Sequence, residues 1–262
     1  MKKQTILLLG FCIMLSGCSH YYYVSSIQNV PLFKEKNEFH LAGSYAQGDE
    51  SESGEVQTAY SITNHLGIMA NYQKTRIGSL EKEDYMSGRN YDIGLGYFRP
   101  IGKDAVFEVY SGYGRNKQHH AYSTSNYNSV TGTYDYISDG DAYLKYRRYY
   151  IQPSFGLGFD YFDVAASFRL SRIRYNYVDY DVVYHEEDIQ ILNMLPQKSH
   201  FMLEPAITLR TGWKYFKFQF QASYVEYLND SGDGEDYLDF VEEPHVSFGF
   251  YLTLANRWGK KE

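Results

Sequence analysis

The feature that most constrains this chain is a period of two in side-chain character that recurs in ten separate stretches. Within each stretch, bulky apolar residues alternate with glycine, small or polar residues. This is the periodicity of a β-strand whose two faces meet different surroundings. The ten stretches are residues 39–45, 56–62, 66–73, 91–97, 107–112, 151–160, 164–170, 201–210, 216–224 and 246–254. The pattern predicts an all-β protein.

The less apolar face of these stretches distinguishes two kinds of β protein. A water-soluble β fold would also alternate, with its apolar face turned inward. Its solvent-facing positions would favour Lys, Glu and Thr, whereas many of these positions hold Gly, Ala, Ser or Gln. Small and polar residues suit the narrow interior of a membrane barrel. We therefore expect the apolar rows to face lipid, and a soluble lipid-anchored β-barrel is the alternative.

The connections between the stretches alternate in length. The long ones are residues 48–54, 77–88, 118–142, 179–199 and 229–243, and the short ones are 63–65, 99–103, 161–163 and a turn near 214–215. Membrane barrels have short periplasmic turns and longer extracellular loops. The alternation predicts an antiparallel up-and-down transmembrane β-barrel of about ten strands. Both ends of the barrel then lie on the side of the short turns.

The first residues have the character of an export signal. Lys2 and Lys3 precede an apolar stretch, residues 6–15, that is too short to span a bilayer. Leu15-Ser16-Gly17-Cys18 follows and resembles the lipobox of bacterial lipoproteins. The resemblance implies cleavage before Cys18, acylation of that residue and, with Ser at position 19, delivery to the outer membrane. We expect a lipoprotein signal peptide at 1–17, a periplasmic tether at 18–36 and the barrel at 37–258.

Two further motifs resemble known envelope proteins. Ser247, Gly249, Leu252 and Leu254 resemble the assembly signal in the last strand of outer-membrane barrels, which implies the barrel-assembly machinery as a partner. Residues 29–33 (NVPLF) and 57–63 (QTAYSIT) resemble a group of lipidated outer-membrane barrel proteins of unassigned role. The chain is thus similar to lipidated bacterial outer-membrane β-barrels of the small OmpA/OmpX-like or ten-stranded type. The resemblance implies outer-membrane lipid as a partner and names no surface ligand.

Composition excludes several classes of function. The formal net charge is −7, so there is no basic excess to bind nucleic acid. Both cysteines lie in the first 18 residues, so the rest of the chain holds neither a disulfide nor a thiolate metal cluster. Aromatic residues make up 18% of the chain, which is incompatible with disorder.

Charged residues on the predicted inner face form the first candidate site. They are Asp92, Glu108, Asp160, Arg169, Glu204, Arg210 and Lys217. Unpaired buried charge is costly, so these groups should pair or meet water. Counting upward from the short turns predicts a salt-bridge cluster of Arg169, Glu204 and Arg210 inside the barrel. Such a cluster serves as a structural plug or, alternatively, lines an ion path. A bulge is expected after Leu170, where the apolar phase shifts toward Ile173.

The loops offer weaker candidates. Residues 229–236 are acidic and turn-rich, but Phe240 occupies the position where a calcium loop needs a bidentate Glu. His119-His120 and residues 185–188 (HEED) raise the alternative of a barrel-top hydrolase, although no P-loop, GxSxG, HExxH or GxGxxG motif is present. Residues 118–142 are rich in Tyr, Ser, Asn and Gly, the composition of a recognition surface or of a shielding crown.

These observations lead to one main functional prediction. We expect a non-enzymatic outer-membrane lipoprotein with surface loops that bind a ligand or support the envelope. No catalytic, cofactor-binding or metal-binding residue is predicted, and the lipid-attachment site is Cys18. A narrow passive pore is the principal alternative, because ten strands lie only just above the eight at which side chains fill a bore.

Overall fold

The computed structural model describes residues 21–48, 50–78, 85–128, 132–181, 183, 186–229, 241–242 and 244–254. Most of these residues lie in strands that run up and down in chain order. The strands are β1 Phe39–Gln47, β2 Ser51–Ser61, β3 Leu66–Ile77, β4 Tyr85–Ile101, β5 Ala105–Asn128, β6 Thr133–Gly158, β7 Phe162–Tyr180, β8 His200–Trp213, β9 Phe216–Ser223, β10 Glu226–Tyr227 and β11 His245–Leu254. One helix, α1 (Glu186–Met194), lies between β7 and β8.

Ten of these strands close into a single antiparallel barrel. Each strand from β1 to β8 pairs with the next one in the chain, and β11 pairs with both β9 and β1. The tenth in chain order, β10, has two residues and only extends the edge of β8. The predicted fold, an up-and-down barrel of about ten strands, is confirmed.

The barrel wall has an apolar outside and a polar inside. Outward-facing side chains stay accessible, as with Ile93 at 64% and Phe248 at 62% of their surface. The largest fully buried side chains, in contrast, include Arg148, Arg169 and Arg210. A water-soluble barrel would need the reverse arrangement, because exposed apolar rows on this scale would associate in water. The outer surface is therefore the face of a protein that sits in lipid.

The two ends of the barrel differ, and the terms used for them below are fixed here. The turn end holds the connections 62–65, 102–104, 159–161 and 214–215, together with the start of β1 and the end of β11. The loop end holds the connections 48–50, 78–84, 129–132, 181–199 and 224–244. On the loop side, the predicted loop 118–142 is wrong: β5 and β6 stay paired from Ala105↔Leu157 to Asn128↔Thr133. The contrast between apolar and polar faces fades in this hairpin, although its backbone pairing continues.

The predicted bulge after Leu170 is also misplaced. Alternate residues of β7 point inward without a break from Asp163 to Tyr175, and the register shifts only at Asn176, which is skipped between the pairs Tyr146↔Tyr175 and Lys145↔Tyr177. Ile173 and Tyr175 point into the barrel because its interior becomes apolar near the loop end.

The largest departure from prediction concerns residues 18–36. The described part of this segment does not hang below the barrel as a periplasmic tether, because residues 22–33 are buried inside it. A tether needs a solvated backbone, whereas here the bore supplies partners for the backbone, as detailed below. We call residues 21–33 the luminal segment.

Several predicted features lie outside the described residues. They are the signal peptide, the lipid-attachment site Cys18, most of the acidic loop 229–236 and the tail from residue 255. Within the part of the chain that the structure describes, no helix is both long and apolar enough to cross a bilayer.

Candidate functional site

The bore of the barrel is occupied by the chain's own luminal segment. At the loop end, Tyr22 stacks on His120 with ring centroids 5.1 Å apart, and its hydroxyl donates to Asp188 of α1 at 2.5 Å. At the turn end, Phe33 packs against Phe98 at 5.3 Å between ring centroids. The segment therefore runs the length of the interior, from the loop connections to the short turns.

The backbone of this segment is satisfied by side chains rather than by a neighbouring strand. Seven consecutive carbonyl oxygens, from Ser25 to Pro31, each accept a hydrogen bond of 2.7–2.9 Å from a side chain of the barrel wall. In carbonyl order, the donors are Gln73, Arg169, Gln57, Gln221, Gln152, Arg210 and Tyr251. The wall strands already pair with one another, so only their inward side chains can reach the segment. Inward side chains, four of them glutamines, are long enough to reach these carbonyls, so each of the seven keeps a partner inside the bore.

Charged side chains of the wall bind the middle of the luminal segment. Arg148 on β6 pairs with Asp92 on β4, and Arg169 on β7 pairs with Glu204 on β8. Arg148 also donates to Ser26 Oγ at 2.8 Å, and Arg169 donates to the same oxygen at 3.1 Å. Two buried ion pairs therefore hold one serine between them. We call these four charged residues the central charge cluster.

The predicted cluster of three charged residues is only partly assembled. Arg169 and Glu204 face each other directly across β7 and β8. Arg210 does not join them: it lies opposite Asp163, 4.0 Å from its carboxylate, and over the ring of Tyr251 at 3.7 Å. Six residues of β8 separate Glu204 from Arg210, a rise of roughly 20 Å. All three side chains lie on the inner face, but Arg210 lies at a different level of the bore from Arg169 and Glu204.

The sequence prediction missed several charged residues of this interior, including Arg148, Asp163 and Glu55. Arg148 lies just before the stretch assigned to β6, but alternation continued backward from Ile151 places it on the inner face. Asp163 was assigned to a short turn, whereas it points inward and binds Lys217 Nζ at 2.6 Å. Its near neighbour Asp160, predicted to be inside, is exposed in the turn.

Of the other predicted inner charges, Glu108 receives the backbone N–H of Phe33 at 3.1 Å. Glu55, which is not among the predicted inner charges, accepts a hydrogen bond from the backbone N–H of Ile27 at 2.9 Å, near the centre of the bore. Carboxylates accept from these two amide groups, and Gln221 Oε1 accepts from the backbone N–H of Gln28 at 2.7 Å. An ionised carboxylate only accepts and a guanidinium only donates hydrogen bonds, whereas a glutamine amide can do both.

The two adjacent histidines lie on opposite faces of β5. His120 points into the bore, whereas His119 points outward, where its Nε2 lies 2.6 Å from Asp141 Oδ1. His119 also stacks flat on Tyr143 with ring centroids 4.6 Å apart. Alternation separates the two rings, so they do not form one metal site. Within the described ranges, no group of three or more His, Cys, Asp or Glu side chains is arranged to hold a metal.

An apolar groove of about 750 Å³ lies on the outer wall rather than in the bore. Outward side chains such as Ile68, Ile93 and Leu95 line it around smaller residues of β2 to β5. This surface faces lipid, so the groove is a depression that acyl chains fill. The bore with its luminal segment is therefore the candidate functional site.

Comparison with known proteins concerns the fold alone. No protein-family model matches this sequence, and no curated protein matches it. Among solved structures, it is similar to the N-terminal β-barrel domain of Pseudomonas aeruginosa OprF, with 8% identity over 84% of this chain and 99% of that one, at a TM-score of 0.35. It is also similar to the outer-membrane protease OmpT of Escherichia coli, with 9% identity over 84% and 96% and a TM-score of 0.47. The KdgM porin shares 9% identity over 82% and 99%, at a TM-score of 0.36.

The architecture of this chain is a closed, ten-stranded up-and-down β-barrel with an apolar outer wall. One barrel fold can host channels and enzymes alike, so a similarity of fold at such low sequence identity does not define an activity. Function has to be argued from the bore and the loops.

Proposed function

We propose that the protein is a non-enzymatic, lipid-anchored outer-membrane barrel whose bore is closed by its own N-terminal segment. Its exposed loops are the working surface, which binds a ligand or supports the envelope. The observation that carries the proposal is the run of seven carbonyl oxygens, Ser25 to Pro31, each bonded to the wall. A bore filled in this way is a packed interior and not a passage.

The closed bore argues against the alternative of a narrow passive pore. Opening a path would require withdrawal of the luminal segment and exposure of the central charge cluster. Arg148 and Glu204 are 1% and 0% exposed with the segment in place. Each buried donor or acceptor left without a partner costs about 1–3 kcal/mol, and this segment has many.

The loop end supplies the proposed binding surface. The pairing of the β5–β6 hairpin continues to Asn128↔Thr133, about 15 residues of paired strand beyond the level of Tyr113 and Tyr149. Its sequence is rich in Tyr, Ser and Asn, which combine rigid aromatic contact with adaptable hydrogen bonds. Such a projecting hairpin is suited to recognition at a distance from the membrane.

Acylation at Cys18 is the proposed second attachment to the membrane, beside the barrel itself. Its support is the Leu15-Ser16-Gly17-Cys18 motif behind a basic start and a short apolar stretch. Mass spectrometry of the N-terminal peptide tests it directly. An added mass of acyl chains on Cys18 is expected, and an unmodified Cys18 would remove this part of the proposal.

Planar-bilayer conductance tests the closed bore. The purified full chain, with its barrel checked by the gel shift between unheated and heated samples, is expected to give no steady conductance. A variant in which Arg148→Ala and Arg169→Ala loosen the luminal segment is expected to give intermittent openings. Steady conductance from the unaltered, folded protein would overturn the proposal in favour of a pore.

The alternative of a barrel-top hydrolase is raised by His119-His120 and residues 185–188, and in the structure His119 pairs with Asp141. The pair lies on the outer wall, where His119 stacks on Tyr143 and its Nδ1 lies 3.4 Å from the Tyr85 hydroxyl, and in the described residues no serine is seen to contact it. Peptide and ester substrates should therefore be left intact. Hydrolysis that disappears in His119→Ala would contradict the non-enzymatic assignment.

A further inference from the structure

The first described residues lie among the loop-end connections. Tyr21 and Val24 pack on Ile77 and Met86, which flank the β3–β4 connection. Tyr23 forms a bridge with Val241, which lies in the connection that leads to β11. Together with the contact between Tyr22 and α1, this fixes residues 21–24 at the loop end by three separate connections.

The direction of the chain through the bore follows from contacts further along. Ile27 and Asn29 bind wall residues near the middle, and Lys34 Nζ reaches the carbonyl of Gly158 beside a short turn at 2.5 Å. Asn37 then bonds Ser61 at 2.8 Å, also at the turn end. The chain thus enters the bore at the loop end, leaves it at the turn end and folds back into β1.

Chain length restricts where Cys18 can be. It precedes Tyr21 by three residues, which span at most about 11 Å when fully extended. The luminal segment crosses the bore in twelve residue steps, a length of up to about 40 Å. The bore is filled by this segment, so a chain three residues long cannot return through it to the turn end.

We infer that the end of the chain that carries Cys18 is displayed on the loop-end face of the membrane. With long loops outside, as in membrane barrels generally, this face is the cell surface. The position of the lipid anchor rests on the proposed function, in which Cys18 is acylated. Its acyl chains then insert into the outer leaflet. This is the opposite side from the periplasmic anchor that the sequence had suggested.

Cysteine labelling on intact cells tests the inference, because the chain has no cysteine after residue 18. Ser19→Cys is treated with a membrane-impermeant maleimide before and after the outer membrane is permeabilised. Gln190→Cys, on the exposed side of α1, is the loop-end control, and Lys103→Cys, in a turn-end connection, is the opposite control. Each folded barrel is checked by its gel shift.

Ser19→Cys is expected to react on intact cells to the same extent as Gln190→Cys. Reaction only after permeabilisation, as for Lys103→Cys, would overturn the inference. If Ser19→Cys does not fold, an epitope placed between Ser19 and His20 and detected by antibody on intact cells gives the same decision.

The unaltered chain separates this inference from the lipid anchor. An acylated Cys18 has no free thiol, so the unaltered protein should not react with the maleimide. If it reacts on intact cells, the anchor fails while the surface position stands. If Cys18 is acylated but Ser19→Cys is protected until permeabilisation, the anchor stands and the surface position fails.

Discussion

Arg169 and Glu204 face each other across β7 and β8 and share a third partner, Ser25 of the luminal segment. Arg169 Nη2 donates to Ser25 Oγ at 3.1 Å, and Ser25 Oγ donates to Glu204 Oε2 at 2.6 Å. The ion pair therefore joins two wall strands and the filling of the bore in one network. Buried pairs of this kind are sensitive to loss of one member, because the other is then left as an uncompensated charge.

Arg169→Met should lower the stability of the barrel by about 3 kcal/mol, because Glu204 stays buried without its cation. The temperature at which the unheated band converts to the heated band on a gel measures the change. Joint replacement with Glu204→Met should recover part of the loss. Phe168→Leu, a change on the lipid face one residue away, is the control. Equal conversion temperatures for Arg169→Met and the unaltered protein would refute this role.

Gln152→Leu should destabilise the protein by about 1–3 kcal/mol, because the carbonyl of Asn29 loses its donor inside the bore. The same chemical change at Gln197, which is exposed in the β7–β8 connection, should have little effect. Urea unfolding in liposomes, followed by tryptophan fluorescence, compares the two. An equal loss of unfolding free energy at Gln152 and Gln197 would mean that the hydrogen bond from Gln152 does not hold the luminal segment.

Gly67→Val should weaken the seating of the luminal segment at the turn end. A Cβ at Gly67 would lie 2.8 Å from the ring of Phe33 and 2.9 Å from the hydroxyl of Tyr110. Overpacking of this kind costs about 1–3 kcal/mol. Gly54→Val is the matched control, since no atom lies within 4 Å of its added Cβ. Gly67→Val should convert to the heated band at a lower temperature than the unaltered protein, whereas Gly54→Val should not. An unchanged conversion temperature for Gly67→Val would contradict the close packing of Phe33.

Ile93→Lys should destabilise the barrel in a bilayer by about 2–4 kcal/mol, because the side chain points outward at 64% exposure into the lipid. Ile93→Leu keeps the apolar surface and should be nearly neutral. Urea unfolding in liposomes measures the free energy of unfolding of both variants. A barrel that tolerates lysine here as well as leucine would not have its outer face in lipid.

Much of the wall could be predicted from the sequence, because it depends on local alternation. Segments such as residues 66–73 and 246–254 face lipid on one side and the bore on the other. This contrast appears in the sequence as an alternation of apolar and polar or small residues. The same signal is weaker where the contrast fades. The sequence therefore predicts a loop where hairpin β5–β6 continues beyond Gln118, and it does not place Arg148 in the interior.

The sequence by itself determined the strand pattern, the side of each strand that faces lipid and the presence of buried charge. Only the tertiary structure decided what fills the bore. Residues 21–33 have no period of their own, since an extended segment bound by side chains from all around it shows no alternation. Their partners, from Glu55 to Tyr251, are scattered over the chain and converge only when the barrel closes. Residues 22–33, predicted to be part of a tether, are therefore buried in the interior of the closed barrel.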